Sequence, residues 1–354
     1  MTAKAFLGRI DPRSPDYVAL IRAGLDRVGF VDALPTNPKV FLKPNLTFPT
    51  YRPGVMSSPE AVAAAIEVLV EFGAEVWVGD SDSGGYNPFS MHEVYKQTGI
   101  AEFAPRYGAK VVNLSDLPRR KISFLCRGKE ISLEMPRLLT DEIDALVTLP
   151  VPKIHMNTGV SLTFKNQWGC IPEPNDRLRL HPYFKETVQA VNEAVKARFA
   201  IIDGRFGLNS TGPMRGEVVE LNWLCVTDDL GAGARIACLL MGIDPMKVKH
   251  LKYAYEVGRL PELADIDLNI ALEDFVGPSF YLKRAWTDYP GFLAFNSASL
   301  AHLAYFSRWS KLLHKVLYLF REPFYDYDEA KRVRNREGLD ETQEGPSDLG
   351  RSRD

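Results

Sequence analysis

Cysteine is scarce in this chain, and the few cysteines lie far apart. The 354 residues include four of them, at positions 126, 170, 225 and 238, and no two form a C-x-x-C pair. No single segment can therefore hold a zinc ion or an iron–sulfur cluster through cysteine alone. The scatter predicts reduced thiols in a cytoplasmic protein that has no iron–sulfur cluster of its own.

An excess of charge of one sign is also missing, as is a long apolar run at the start of the chain. The formal net charge is -2 at pH 7, which gives no long-range attraction for nucleic acid or for an anionic membrane. Residues 1–17 lack the apolar stretch and the small-residue cleavage site of an export signal. With 45% hydrophobic residues the chain can bury a large core. We expect a cytoplasmic protein that acts on a small-molecule substrate and not on nucleic acid.

The segment 146–183 carries an unusual concentration of chemically active side chains. Its apolar run 146–149 predicts a buried strand that ends near Pro150 and Pro152. If the chain stays extended beyond Pro152, the side-chain period of two places positions 153 and 155 on one face. The run 160–164 alternates like a second strand that ends at position 165. The residues that the segment brings together are Lys153, His155, Lys165, Asn166 and His181.

Each of these side chains alone has an ordinary structural explanation. A lysine at a strand end is commonly solvated, and a histidine is commonly a hydrogen-bonded structural residue. Two cations and two imidazoles at neighbouring strand ends repel one another, however, unless an anion, a metal or carboxylates compensate. We therefore interpret Lys153, His155, Lys165 and His181 as catalytic residues.

The first half of the chain predicts a parallel strand–helix–strand unit. A short strand at 40–42 runs into Lys43 and Asn45, and a helix with a serine cap and Pro59 at its first turn ends at Gly73. The next strand ends at Asp80. Since open α/β sheets bind ligands at the carboxyl ends of their strands, Lys43 and Asn45 are expected to bind substrate together with Asn166. The alternative for Lys43 and Asn45 is an ordinary turn at a proline.

Aspartates follow three of the predicted strands. The loop after the second strand, GDSDSGG, fits neither the dinucleotide fingerprint nor the P-loop, and a plain βα loop is its alternative reading. Later strands at 200–202 and 224–226 also end in aspartates. Together Asp80, Asp203 and Asp228 predict a site for one divalent metal, completed by His155 or His181.

The turn-rich segment 209–216, NSTGPMRG, predicts an exposed loop that closes over the site. It cannot continue a helix or a central strand. Within it, Gly212 and Arg215 are assigned to substrate binding.

The order of these motifs resembles the bacterial and archaeal family called domain of unknown function 362. The resemblance covers about residues 38–260 and implies an α/β fold with a shared polar pocket, but no substrate. Where the family pattern has Thr-Asp-Pro-x-Ala-x-Asp, this chain has Asp229, Gly231 and Gly233 in place of the proline, the alanine and the second aspartate. Many relatives resemble carriers of ferredoxin-like cysteine clusters, and this chain has none. The matching pieces are FLKPNL from Phe41, VGDS around Asp80, PKIH from Lys153, FKNQWG around Lys165, His181, IIDG around Asp203, TGPMRG around Gly212, and CVTDDLGAGA leading to MGIDP at Asp244.

The composition changes after the α/β part. Residues 298–324 predict one basic amphipathic helix, with an apolar face that includes Trp309 and Phe320 and with Arg308, Lys311 and Lys315 set apart from it. It can dock on a membrane surface or on a protein partner, or cover the protein's own core or the seam of a homodimer. We divide the chain into an α/β module at 1–270, a helical extension at 271–330 and a disordered tail at 331–354.

The sequence as a whole predicts an α/β fold with a mostly parallel or mixed sheet, helices on both faces and a helical C-terminal extension. The leading functional hypothesis is an enzyme for a small carboxylate- or phosphate-bearing substrate, with lysines that hold the anion and a histidine that moves a proton. One alternative is a metal-dependent oxidoreductase or isomerase. Another is a non-catalytic binding or scaffold protein recruited through the basic helix.

Overall fold

A large mixed sheet forms the centre of the protein. The structure is a computed structural model that describes residues 2–83 and 87–320. The strands are β1 (Ala3–Arg9), β2 (Lys39–Pro44), β3 (Glu75–Asp80), β4 (Lys110–Asn113), β5 (Arg119–Cys126), β6 (Lys129–Pro136), β7 (Ala145–Leu149), β8 (Lys153–His155), β9 (Gly159–Ser161), β10 (Ala197–Asn209), β11 (Glu217–Thr227) and β12 (Ile266–Leu268). All but β5 and β6 belong to one sheet of ten strands, in the order β12-β1-β11-β10-β7-β2-β3-β4, with β8 paired to β10 and β9 paired to β8.

Helices cover both faces of this sheet. They are α1 (Tyr17–Arg27), α2 (Pro59–Glu71), α3 (Met91–Gln97), α4 (Ile100–Arg106), α5 (Thr163–Asn166), α6 (Pro174–Leu180), α7 (Phe184–Ala194), α8 (Leu230–Leu240), α9 (Lys249–Glu256), α10 (Tyr289–Asn296), α11 (Ala298–Ala301) and α12 (Ser310–Tyr318). Alternate residues of a strand serve opposite cores, as the strand period requires. Val40 packs with Ile21 and Ile66 on the face of α1 and α2, while Phe41 packs with Val188 on the face of α7. The α/β prediction is confirmed.

The parallel unit at the start of the chain forms as the sequence predicts. Strand β2 pairs in parallel with β3, and Val40 lies opposite Val76. Between them, the Ser58 side chain caps α2 by accepting from the backbone N–H of Ala61, and Pro59 occupies the first turn. Strand β7 pairs in parallel on the other side of β2. The carboxyl ends of β2, β3 and β7 therefore meet at one edge, which we call the carboxyl edge.

Strand β11 corrects the prediction for Asp228. The paired strands β10 and β11 extend much further than predicted and leave only residues 210–216 between them. This connection is too short for a parallel crossover, so β11 runs antiparallel to β10. Its carboxyl end lies at the opposite edge of the sheet, where Asp228 accepts a hydrogen bond of 2.7 Å from the backbone N–H of Lys4.

The segment after β9 also differs from the prediction. The alternating run at 160–164 does not continue as a strand, because α5 begins at Thr163. The Thr163 hydroxyl donates to the carbonyl of Leu230 at 2.6 Å, and the side chain of Gln167 donates to the carbonyl of Thr163 at 2.9 Å. These buried bonds hold the chain in a helical turn. Lys165 therefore lies on a helix and not at a strand end.

The C-terminal region is helical, but the prediction of one helix over 298–324 is wrong for the part that is described. The chain bends at Ser307, whose hydroxyl oxygen accepts from the backbone N–H of Trp309 at 3.2 Å, and α12 begins after the bend. Residues 321–324 and the predicted disordered tail at 331–354 lie outside the described residues. Within residues 2–83 and 87–320, no helix has the length and apolar character needed to cross a membrane.

Candidate functional site

A cavity of about 800 Å³ opens at the carboxyl edge. Its floor lies at the ends of β2, β3 and β8, and residues of the C-terminal helices α10 and α12 form its outer wall. Four cationic side chains line the cavity, Lys43, Lys153, Lys165 and Arg177. Among the described residues, the carboxylates in its lining are Asp80 and Asp288. Positive charge is therefore in excess.

Lys43 and Asp80 form a buried ion pair at the floor. The Lys43 Nζ lies 2.6 Å from the Asp80 Oδ2, and their side chains are 1% and 5% exposed. Burial raises the pKa of the Asp80 carboxyl above its ordinary value, and the attraction of Lys43 opposes this rise. A side chain at Gly169 would bring a Cβ within 2.6 Å of the Asp80 Oδ1. The glycine of the FKNQWG motif thus lets the chain pass close to the ion pair.

Lys153 is buried and hydrogen-bonded, but it pairs with no carboxylate of residues 2–83 and 87–320. Its Nζ donates to the Asn45 Oδ1 at 2.5 Å and to the carbonyl of Val55 at 2.7 Å. Burial, followed by repulsion from Lys165 and Lys43, lowers the pKa of Lys153 to about 7. An amine with this pKa exists in both protonation states near neutral pH.

Lys165 projects from α5 and makes no ion pair or hydrogen bond within the part of the chain that the structure describes. Burial, together with repulsion from Arg177 and Lys43, lowers its pKa to about 8. A desolvated cation without a counter-ion is costly to maintain. Such a group points to a ligand that carries negative charge.

Two histidines that line the cavity are neutral at pH 7. The Nδ1 of His155 accepts from the backbone N–H of Asn157 at 3.2 Å, which leaves the proton on Nε2. Burial, followed by repulsion from Lys165, lowers the pKa of His155 well below its ordinary value. The same two causes lower the pKa of His181 to about 3. The His181 ring stacks on Trp168, with 6.0 Å between the ring centroids.

Arg177 belongs to the site although sequence reasoning did not select it. Its guanidinium donates to the Ser81 hydroxyl at 3.2 Å and to the carbonyl of Asp82. It lies within the segment 146–183, on α6, whose start is capped by Glu173. Its place in that segment was a sequence signal that could have selected it. Arg177 anchors the loop after β3 to the cavity.

Eight of the residues selected from the sequence line this one cavity. Asn45 and Asn166 hold the floor together, since the Asn166 side chain donates to the carbonyl of Lys43 and to the Thr148 hydroxyl, both at 2.9 Å. Asn166 therefore positions the strand end that carries Lys43. The eight residues are Lys43, Asn45, Asp80, Lys153, His155, Lys165, Asn166 and His181.

The predicted grouping of three aspartates around a metal is wrong. Asp203 accepts hydrogen bonds from Tyr17 at 2.9 Å and from the Ser58 hydroxyl at 2.8 Å, and it does not line the cavity. Asp228 lies at the opposite edge of the sheet, and Asp80 is held by Lys43. Among the described residues, no three histidine, cysteine or acidic side chains are grouped to hold a metal ion.

The loop 210–216 reaches the cavity through other residues than predicted. A Cβ at Gly212 would lie 2.0 Å from the carbonyl oxygen of Ile154, so this glycine permits close packing on β8. Arg215 is exposed and does not line the cavity. The residues of this loop that line it are Pro213 and Met214.

The C-terminal wall was not predicted to be part of the site. Aromatic and aliphatic side chains of α10, α12 and the turn between α11 and α12 face the cavity, and Phe295 lies 4.6 Å from the His181 ring. Wall residues include Leu303, Tyr305, Leu313, Leu317 and Phe320. Their apolar spacing was visible in the sequence, but the contact with residues more than 100 positions earlier was not.

Comparisons with known proteins identify the family of this chain. The family model described as Domain of unknown function (DUF362) matches residues 40–238. A thylakoid-associated protein of Synechocystis sp. is 24% identical over 247 residues, which cover 64% of this chain and 70% of that protein.

Two solved structures resemble the chain more weakly. One is a Thermotoga maritima protein, with 18% identity, a TM-score of 0.40 and coverage of 57% of this chain and 53% of that one. The other is the lactate racemase apoprotein of Thermoanaerobacterium thermosaccharolyticum, with 12% identity, a TM-score of 0.43 and coverage of 69% and 58%. The chain spans little more than half the length of these two proteins. Similarity at this level does not transfer a function.

Proposed function

The chain belongs to the DUF362 family, and from the cation-rich floor of its cavity we propose that it is an enzyme for a substrate bearing a phosphate or carboxylate group. The observation that carries this proposal is Lys165, a partly buried cation that lines the same cavity as Lys153. Among the described residues, Lys165 has no hydrogen-bond or ion-pair partner, and Lys153 pairs with no carboxylate. Four cations against two carboxylates in the lining leave an excess of about the charge of a phosphate dianion.

Both lysines interact with the anionic group in this proposal, and one of them also transfers a proton. Lys165 binds the anionic group, and the Nε2–H of neutral His155 donates a further hydrogen bond. Lys153 moves the proton, because its pKa of about 7 matches the working range of a general acid or base better than the strongly lowered pKa of either histidine. The sequence assigned proton transfer to a histidine, and this proposal assigns it to Lys153 instead.

Anion binding should weaken as the pH rises. Sulfate keeps its charge between pH 6 and pH 9, so the change comes from the protein. An anion stabilises the ammonium forms of Lys153 and Lys165, whose pKa values in the free protein are about 7 and about 8. Binding therefore raises both values and takes up protons at pH 8. We expect the affinity for sulfate to be constant below pH 6.5 and to fall roughly 10- to 100-fold by pH 9.

Titration calorimetry at several pH values and in buffers of different ionisation enthalpy measures both the affinity and the proton uptake. The Lys153→Met variant should lose part of the uptake and keep a weaker pH dependence. An affinity that stays flat from pH 6 to pH 9, or binding without proton uptake at pH 8, would contradict the proposal.

A second candidate is recruitment to an anionic bilayer. Residues 289–320 contain no Asp or Glu, whereas Arg308 and Lys315 are exposed there. The side chains of Trp309 and Phe320 are also exposed, at 51% and 61%. Exposed aromatic rings among cations complement the interface of an anionic membrane. This function is compatible with the enzyme proposal.

Vesicle sedimentation separates this candidate from other docking partners. We expect vesicles with a phosphatidylglycerol fraction to bind the protein at low salt, and Trp309→Ala to weaken binding about 10-fold. Tyr107→Ala is the matched control, because Tyr107 is a 40% exposed aromatic residue on another surface. Equal loss in both variants, or no binding to vesicles, would remove the candidate. A concentration-dependent dimer that Trp309→Ala disrupts would instead assign the surface to a second copy of the chain.

A further inference from the structure

The cavity is much larger and more apolar than a small anion requires. At about 800 Å³ it has the size of pockets that enclose drug-sized ligands. A phosphate or a short carboxylate at the lysines would leave the outer wall in contact with water. Apolar wall surface that stays wet contributes nothing to affinity.

The polar floor and the apolar wall form two ends of one space. Near the floor, the His181 ring stacks on Trp168. Its centroid lies 4.6 Å from that of Phe295 of α10 and 6.5 Å from that of Tyr305, to which it is nearly perpendicular. Lys165 lines the same cavity as His181 and Phe295, so the cation and this aromatic series share one space. The rings therefore lead from the lysines to the C-terminal helices.

The apolar wall continues to the outside of the protein. Leu313, Val316 and Phe320 line the cavity, yet 43%, 47% and 61% of each remain exposed. A side chain that faces both the cavity and solvent forms part of an opening. Apolar side chains line the opening, whereas an entrance for a small polar substrate does not require an exposed apolar surface.

We propose that the ligand is an anionic amphiphile, with a phosphate or carboxylate head at Lys165 and Lys153 and a hydrocarbon chain along the wall of α10 and α12. This inference rests on the proposed function, since it takes the same lysines as the head-group site. It adds the substrate class. The hydrocarbon chain of the ligand passes His181 and Phe295 and leaves the cavity between Leu313 and Phe320.

The affinity of a homologous series tests the inference. Butyl, hexyl and octyl phosphate are titrated at pH 6.5, below the concentrations at which they form micelles. Each methylene buried against the wall should tighten binding about fourfold, so octyl phosphate, with four more methylenes, should bind roughly 250-fold more tightly than butyl phosphate. The head group stays the same across the series, so the ratio of the octyl to the butyl affinity reports the contribution of the hydrocarbon chain alone.

Two neighbouring leucines provide matched variants. Leu313 lines the cavity, whereas Leu312 is 52% exposed and does not. Leu313→Ser should reduce the octyl-to-butyl ratio about 3- to 10-fold without changing the affinity for butyl phosphate. Leu312→Ser should leave both affinities unchanged. Since both side chains are largely exposed, neither variant is expected to unfold the protein.

The outcomes distinguish this inference from the proposed function. Equal affinities across the series would overturn the amphiphile while preserving the anion site. A rising series that Leu313→Ser and Leu312→Ser change alike would place the hydrocarbon outside the cavity and would also overturn it. If no alkyl phosphate or inorganic phosphate binds at all, both the inference and the proposed function fail.

Discussion

We expect the Lys165→Met variant to bind butyl phosphate about 100-fold more weakly and to unfold at a higher urea concentration than the wild type. The loss of affinity follows because a charge-assisted contact in a desolvated site is worth about 2–3 kcal/mol. The gain in stability follows because Lys165 has no carboxylate partner among the described residues and is repelled by Arg177 and Lys43. Opposite effects on binding and stability are typical of a side chain kept for function.

The pH dependence of the stability gained in Lys165→Met identifies the charge of Lys165 as its cause. Folding lowers the pKa of Lys165 from 10.5 to about 8, so the wild type binds fewer protons folded than unfolded between these values. Below pH 8 the charged lysine therefore costs stability, and removing it should raise the free energy of unfolding by roughly 1–3 kcal/mol at pH 7. The gain should disappear above about pH 10.5.

Urea unfolding at pH 7 and pH 10.5 measures this difference. Lys110→Met is the matched control, because Lys110 is 60% exposed and forms a surface ion pair with Glu75. That variant should change the free energy of unfolding by less than about 1 kcal/mol and leave phosphate binding intact. A Lys165→Met protein that is destabilised at pH 7, or that binds butyl phosphate normally, would refute the role given to Lys165.

Replacing Lys43 has the opposite effect on the fold. In Lys43→Met, the Asp80 carboxylate stays buried without its cation, and its remaining contacts are backbone N–H groups of Ser81 and Leu46. Breaking one side of a buried ion pair in this way costs about 3–5 kcal/mol of stability. The pKa of Asp80, already raised by burial, should rise further, so the variant should be less stable at pH 8 than at pH 5.

The double variant Lys43→Met/Asp80→Asn identifies the buried charge as the cause. It removes the carboxylate and should recover most of the lost stability in the same unfolding experiment. Arg106→Met breaks an exposed ion pair with Glu102 and should cost less than about 1 kcal/mol. If the double variant is as unstable as Lys43→Met, packing rather than charge accounts for the loss.

Helix caps and turn residues in the sequence were sufficient to predict the elements that neighbouring residues determine. The cap at Ser58 and the proline at position 59 set the start of α2, and Gly73 follows its end. Arg127 and Gly128 both have positive φ, and they form the two-residue hairpin turn between β5 and β6. The direction of β11 was harder to predict, because only the full length of the strands shows that residues 210–216 are too short for a crossover.

The site was predictable where strand ends carry the residues. Lys43 and Asp80 come together because the parallel strands β2 and β3 end at one edge, and Lys153 follows β7, which ends at the same edge. Asp203 was misassigned because a polar residue inside a long strand resembles one at the end of a short strand. Its carboxylate instead joins α1 to α2 through Tyr17 and Ser58.

The apolar half of the cavity could not be predicted from the sequence. Its formation depends on the bend at Ser307, which brings Leu313 and Leu317 to the cavity that contains His181. The sequence predicts a straight amphipathic helix here, whereas the Ser307 hydroxyl donates to the carbonyl of Leu303 at 2.6 Å and accepts from the backbone N–H of Trp309 at 3.2 Å. Local side-chain hydrogen bonds of this kind compete with a helical pattern.

A crystal structure of the protein grown with octyl phosphate tests the central claim most directly. We expect the phosphate to lie within ion-pair distance of the Nζ atoms of Lys165 and Lys153, with the octyl chain running past Phe295 towards Leu313. A phosphate bound on another surface, or a cavity that holds only water at saturating octyl phosphate, would contradict it.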